Sequence, residues 1–176
     1  MSSTRATRRI NAARAVVYRA LLDAQAIARW RVPAGMTSRV HEFDAREGGA
    51  FRVSLSYDAH DGTGKTAAHT DTYHGRFVRL LPDRQVVEVL EFETADPELR
   101  GVMTMTTTLT DADGGGTDVL IVHEGIPRGV PPADNETGTR MALAKLAALV
   151  EAGGTEPWTS PPRPGDDEAE PVSPLA

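Results

Sequence analysis

The chain has 176 residues, a formal net charge of −6 and an apolar fraction of 40%. This length suits one domain with a tail to spare, and the apolar fraction is enough for a substantial core. The acidic balance argues against a nucleic-acid-binding protein, which needs a basic face. The sequence has no Cys, which excludes disulfides and thiolate metal sites. No stretch approaches the ~20 apolar residues of a membrane-spanning helix.

The N-terminal part of the sequence predicts one strand followed by two short helices. The strand is expected at residues 4–10, and Asn11 is expected to cap the first helix because its side-chain oxygen can accept from a free helical N–H. Apolar residues recur at helical spacing over 16–21. A second short helix is expected from Ala24 to Trp30, ending before Pro33.

The middle of the sequence predicts an antiparallel meander. Phe51, Val53, Leu55 and Tyr57 alternate with polar residues, so one face of that strand should be apolar. Short turn signals between the apolar runs indicate strands that pair with their neighbours along the chain. A polar loop is expected at residues 58–69. The strands are expected at 37–44, 51–57, 71–81, 84–93, 102–110 and 117–124.

The last predicted element is a long amphipathic helix that follows Pro131-Pro132, with Asp134 or Asn135 as its cap. This helix is the only element long and apolar enough to cover one face of the sheet. Residues 155–176 are acidic and Pro-rich, so we expect a disordered tail after a domain at 1–154. The apolar stripe of the helix is formed by Leu143, Leu146, Leu149 and Val150, widened by Ala142 and Ala147.

Four short motifs follow one another along the chain: Asp44-x-Arg46-x-Gly48-Gly49, Gly75-Arg76-Phe77, His123-Glu124-Gly125-Ile126-Pro127 and Asn135-Glu136-x-Gly138. With the helix that leads to Trp30, they resemble the START-like (SRPBCC) superfamily over residues 5–152. Within it, the chain resembles the polyketide cyclase-related group named after the activator of heat-shock protein 90 ATPase. The resemblance implies an α+β helix-grip fold, in which an antiparallel sheet wraps around a long C-terminal helix and leaves an apolar cavity. It also implies a bacterial ligand-binding protein.

Two positions depart from the family pattern. Family members often carry paired Trp where this chain has Trp30-Arg31, and many carry Trp at the position of Thr139. Both changes shrink or polarise the region near the start of the last helix. The resemblance therefore does not imply the ligand of any particular relative.

Four residues are candidates for chemistry. Asp71 and Tyr73 share one face of a predicted strand that also carries His74, and a carboxylate beside a phenol could act in general acid–base catalysis if that face is concave. His123 lies near the start of the last helix and could anchor a ligand or carry a proton. The alternatives are an ordinary strand with one packing aromatic, and a histidine that hydrogen-bonds at a strand-to-loop junction.

Two further features of the sequence could indicate a metal site and a buried ion pair. His69, Asp71 and His74 have a superficial ligand spacing, but His74 should point away from the other two, so we expect no metal site. Glu88 and Glu91 should face opposite sides of their strand. The inward carboxylate needs a partner, which we expect to be Arg76 or Arg79 on the preceding strand.

We expect a cytoplasmic protein, monomeric or homodimeric, that binds a small and largely hydrophobic molecule under the C-terminal helix without a cofactor. Two alternatives stay open. The cavity could serve an enzyme of the cyclase, dehydratase or hydrolase type, which needs two convergent titratable groups, or the chain could be a co-chaperone-like interaction module, which needs an exposed apolar patch. The expected cavity lining is Trp30, Phe51, Val53, Leu55, Tyr73, Met103, Met105, His123, Leu143 and Leu146.

Overall fold

The computed structural model describes residues 2–57 and 70–153. In these ranges the chain forms a seven-stranded antiparallel sheet and three helices, which confirms the helix-grip prediction. The predicted loop at 58–69, which contains His60 and His69, and the predicted tail at 155–176 lie outside the described residues. The elements are β1 (Ser2–Ile10), α1 (Arg14–Leu21), α2 (Ala24–Trp30), β2 (Met36–Phe43), β3 (Ala50–Tyr57), β4 (Thr70–Leu81), β5 (Gln85–Phe92), β6 (Met103–Asp111), β7 (Thr117–Ile126) and α3 (Pro132–Gly153).

The strand order in the sheet is β1-β7-β6-β5-β4-β3-β2. From β2 to β7 each strand pairs with the next one along the chain, as the short turns predicted. β1 departs from this sequence because it pairs with β7 instead of with β2. The first and last strands are therefore neighbours, and β1 and β2 form the two edges of the sheet.

The helix caps differ from the prediction at two places. Asn11 does not cap α1, because the helix starts later, after Ala13, and Asn11 instead donates its backbone N–H to Glu151 Oε1 at 2.9 Å. α3 begins at Pro132, so Asp134 and Asn135 lie inside its first turns and not at its cap. Proline suits the first helical position because its missing N–H would have no partner there.

The core lies between the inner face of the sheet and the helices. The stripe predicted on α3 is buried, with Leu143 exposed by 1% and Leu146 by 0%, and both belong to one cluster with the inward residues of the strands. Helix and sheet backbones approach within 8 Å mainly where α3 meets β1, α2 meets β2 and α1 meets β6. Within the described chain, no helix backbone comes comparably close to the backbones of β3, β4 and β5. The space between these three strands and the helices is therefore filled by side chains.

Candidate ligand-binding site

A lateral row of inward side chains crosses five strands, and it places polar groups in the middle of the core. Strand register sets Thr4 opposite His123, His123 opposite Met105, Met105 opposite Glu88, and Glu88 opposite Phe77. Because side chains on directly paired residues point to the same face of a sheet, these five side chains share the inner face. We call them the interior row.

Arg31 reaches the interior row from the C-terminal end of α2. Its Nη1 donates to Glu88 Oε1 at 2.5 Å, and its Nη2 lies 3.7 Å from Met105 Sδ. The Glu88 side chain is only 5% exposed and the Arg31 side chain 16%, so this is a buried ion pair. Burial alone would lower the pKa of Arg31, but the Glu88 carboxylate raises it above its ordinary value and keeps the guanidinium charged.

Tyr73 lies beside this ion pair on β4. The Arg31 Cζ atom is 5.5 Å from the centroid of the Tyr73 ring, a distance at which a cation is attracted to a ring face. Tyr73 is 5% exposed, and burial raises the pKa of its phenol, so the hydroxyl is neutral at pH 7. Within the described part of the chain, this buried hydroxyl has no hydrogen-bond partner.

His123 lies on the other side of Arg31, on β7, and is held by Asn135 of α3. The Asn135 Oδ1 atom accepts from Thr4 Oγ1 at 2.6 Å and lies 3.2 Å from His123 Nδ1. An amide oxygen can only accept, so Nδ1 carries the proton and Nε2 is left as an acceptor. Burial and the charge of Arg31 lower the pKa of His123 to about 4, which keeps the ring neutral. The buried Nε2 atom has no hydrogen-bond partner among residues 2–57 and 70–153.

Apolar side chains surround these polar groups. Phe51 packs edge-on against Tyr73 with a centroid distance of 6.3 Å and also contacts Phe77. Gly75 makes room for Phe51, because a Cβ at that position would lie 2.8 Å from Phe51 Cζ and 2.0 Å from the Val89 carbonyl oxygen. Nine of the ten side chains expected to line the interior belong to the hydrophobic core or, in the case of the half-buried Leu55, pack against it: Trp30, Phe51, Val53, Leu55, Tyr73, Met103, Met105, Leu143 and Leu146. The tenth, His123, belongs to the interior row.

The other sequence candidates divide between the two faces of the sheet. Asp71 is 2% exposed and lies on the Tyr73 side of β4. His74 lies on the outer face, where its Nε2 is 3.1 Å from Glu91 Oε1 and its Nδ1 is 3.4 Å from Glu93 Oε1. His74 therefore cannot act together with Tyr73.

The prediction about the inward glutamate was correct for the two faces of the strand and wrong for the partner. Glu88 and Glu91 face opposite sides of β5, as expected, and the structure shows that Glu88 is the one that faces inward. Arg76 and Arg79 are not its partners, because strand register places them opposite Val89 and Val87, on the outer face. The sequence did not identify Arg31 as the partner, although Arg31 is one of the positions that depart from the family pattern.

Two open depressions are among those on the outer surface of the described residues. One, of about 390 Å³, lies near the β4–β5 turn and is lined by Arg14, Arg84 and Asp111 among others. The other, of about 420 Å³, lies over β4 and β5 beside His74 and Gly75. Both are wide open to solvent, and neither contains the unpaired atoms of Tyr73 and His123.

Comparison with protein families assigns most of the chain to a family. The model of the family described as "Activator of Hsp90 ATPase homolog 1-like protein" matches residues 11–151. No curated protein matches the chain significantly. In the described residues, no helix is both long and apolar enough to cross a membrane.

Solved structures support the same grouping. Protein CV1439 from Chromobacterium violaceum is 34% identical, with a TM-score of 0.74 over 86% of this chain and 99% of that protein. An AHSA1-like protein from Aeromonas hydrophila is 19% identical, with a TM-score of 0.65 over 88% of this chain and 96% of that protein. Protein Ms6760 from Mycobacterium smegmatis is 17% identical, with a TM-score of 0.66 over 86% and 91% of the two chains. The last two likenesses concern the fold alone.

Proposed function

The chain belongs to the Activator of Hsp90 ATPase homolog 1-like family, and we propose that it binds a small, largely apolar molecule between the sheet and α3. The observation that carries the proposal is the pair of buried polar atoms without a described partner, Tyr73 Oη and His123 Nε2, in an interior whose surrounding side chains are mostly apolar. A buried polar atom without a partner costs about 1–3 kcal/mol. A bound molecule with its own polar groups would remove that cost.

The spacing of the helices also supports this proposal. The backbone of α3 comes close to the sheet at β1, and that of α2 comes close to it at β2. Between the central strands and the helices there are only side chains. Ligand sites in proteins are mostly apolar with a few polar groups that fix orientation. Arg31, Glu88, Tyr73 and His123 would be those groups, and the apolar side chains around them would be the walls.

The proposal is tested by saturable uptake of an uncharged apolar dye such as Nile red, together with native mass spectrometry of the purified protein. We expect one dye per chain. Leu55→Trp, which adds bulk at the margin of the interior, should weaken uptake. Val78→Trp should not, because Val78 is 47% exposed on the outer side of β4. No saturable uptake by the folded wild-type protein would contradict the proposal.

A catalytic use of the same interior is the second candidate. Tyr73 and His123 are two titratable groups on either side of Arg31, one a potential proton donor and the other a neutral base. Such a pair could supply a general acid and a general base to a bound molecule. Chemical conversion of a bound ligand, followed by mass spectrometry and lost in Tyr73→Phe, would favour the enzyme over the simple binding protein.

A further inference from the structure

The polar groups of the interior restrict which molecules fit, if the proposed binding function holds. We propose that the site takes an uncharged ligand that carries a hydroxyl group, an alcohol or a phenol, and that this hydroxyl donates a hydrogen bond to His123 Nε2. Asn135 determines this requirement, because its Oδ1 holds the proton on the Nδ1 side of the ring and leaves Nε2 as an acceptor. A ligand must therefore bring a donor to this position.

The position of Asn135 is itself fixed from two directions. Its backbone N–H donates to the Pro131 carbonyl oxygen at 3.1 Å within the first turn of α3, and its Oδ1 accepts from Thr4 of β1. The tautomer of His123 is thus set by contacts that join the first strand to the last helix. Nε2 is aimed into the interior without a described partner.

The charge balance of the interior favours a neutral ligand. Arg31 and Glu88 neutralise each other through a direct contact, and His123 and Tyr73 are both uncharged at neutral pH. Asp71, which is buried on the Tyr73 side of β4, is an acid and supplies no cation. A carboxylate ligand would bring a buried charge that no free cation in this cluster compensates, and burying an unpaired charge is costly. A carboxylate also has no proton to donate to Nε2, and the same is true of an ether or a ketone.

Tyr73 provides a second, less selective contact. Its hydroxyl can donate or accept, so it can pair with a carbonyl, ether or hydroxyl oxygen elsewhere on the ligand. It lies on the opposite side of Arg31 from His123. Selectivity for a hydroxyl should therefore depend on His123 and not on Tyr73.

The test uses four ligands that share the hexylbenzene skeleton: 4-hexylphenol, its methyl ether, 4-hexylbenzoate and hexylbenzene itself. Their dissociation constants are measured by calorimetry on the full chain. We expect the phenol to bind about three- to tenfold more tightly than the ether, the difference made by one net hydrogen bond. The benzoate should bind at least tenfold more weakly than the phenol.

Variants of His123 then locate the effect. His123→Leu should abolish the advantage of the phenol over the ether, whereas His123→Gln should keep part of it because a Gln oxygen can accept. His41→Leu is the matched control, since His41 is exposed on β2, and Tyr73→Phe should leave the phenol-to-ether ratio unchanged.

The outcomes separate the two proposals. If none of the four ligands binds, the proposed function fails. If hexylbenzene and the ether bind as tightly as the phenol in the wild-type protein, the binding function stands and the hydroxyl inference is overturned. A tight complex with the benzoate would overturn it as well.

Discussion

Arg31 and Glu88 place two opposite charges inside an apolar interior, and their energetics differ from those of the surface pairs. Desolvation of two charges is expensive, so a buried pair adds little net stability compared with apolar residues. Removing only one partner leaves an uncompensated buried charge, which is much worse. The contribution of this pair is therefore best measured with single and double variants.

Arg31→Leu should lower the free energy of unfolding by about 3–5 kcal/mol, measured by urea denaturation, because Glu88 would remain charged and unpaired. The double variant Arg31→Leu, Glu88→Leu should recover most of that loss. Arg52→Leu is the control, because its partner Glu93 is a surface residue and the change should have little effect. Equal losses in the single and double variants would show that packing, not charge, decides the outcome.

His123 gives the protein a pH dependence with a definite sign. Burial and Arg31 lower the pKa of His123 from 6.5 to about 4, so the unfolded chain takes up a proton near pH 6.5 while the folded chain stays neutral. Stability should therefore fall as the pH drops below 6.5, by about 2 kcal/mol at pH 5. Above pH 6.5 this contribution is constant.

The variant His123→Gln should remove this slope between pH 6.5 and pH 5, a range that lies above the ordinary pKa of carboxylates. Urea denaturation at a series of pH values provides the measurement. His41→Gln, at an exposed position on β2, should retain the wild-type slope. An unchanged slope in His123→Gln would mean that the folded protein already accommodates a protonated ring.

At the scale of single elements, α3 carries the apolar stripe that covers the sheet. Leu146 is fully buried on this helix, whereas Met141 is 37% exposed on the same helix. Leu146→Asp should lose several kcal/mol, because it buries an unpaired carboxylate, and this is a large part of a typical stability of ~5–15 kcal/mol. Met141→Asp should change stability by no more than about 0.5 kcal/mol. Thermal melts followed by circular dichroism compare the two, and a folded Leu146→Asp with the wild-type Tm would contradict the burial of this face.

The sequence predicted those helices and strands whose pattern of apolar residues depends only on neighbouring residues. Alternation along β3 and helical spacing in α3 depend on neighbouring residues, so both elements agree with the prediction, as does the sequential pairing of the strands from β2 to β7. Alternation placed Tyr73 and Asp71 on one face of their strand without deciding which face is the inner one, and His123 was expected in the lining because it lies near the start of the last helix. Arg31 was missed, because its ion pair joins residues 57 positions apart and no local pattern shows that the residue after α2 turns inward. The role of Asn135 was missed similarly, since a residue near a helix start suggests a cap first.

At the scale of the whole molecule, we propose that residues 1–154 fold as one unit without 155–176. Val150 is the last core residue of the described part of the chain, α3 ends at Gly153, and the family match ends at residue 151. Truncation after Gly154 should therefore leave the Tm nearly unchanged in a thermal melt. A truncation after Leu146 is the control and should unfold the protein, because it removes Ala147 and Val150 from the core. A drop of many degrees in the first truncation would show that the tail contributes to folding.

The pairing of β1 with β7 has a consequence for the protein while it is being made. β1 leaves the ribosome first, yet its neighbour in the sheet is the last strand, and the hydrogen bond from Thr4 to Asn135 spans 131 positions. At a synthesis rate of about 5–20 residues per second, Asn135 is added on the order of ten seconds after Thr4. Until then the nascent chain holds an unpaired strand and an uncovered meander, so folding can be completed only after α3 has emerged. The interval before α3 emerges is when a nascent-chain chaperone would protect this protein most.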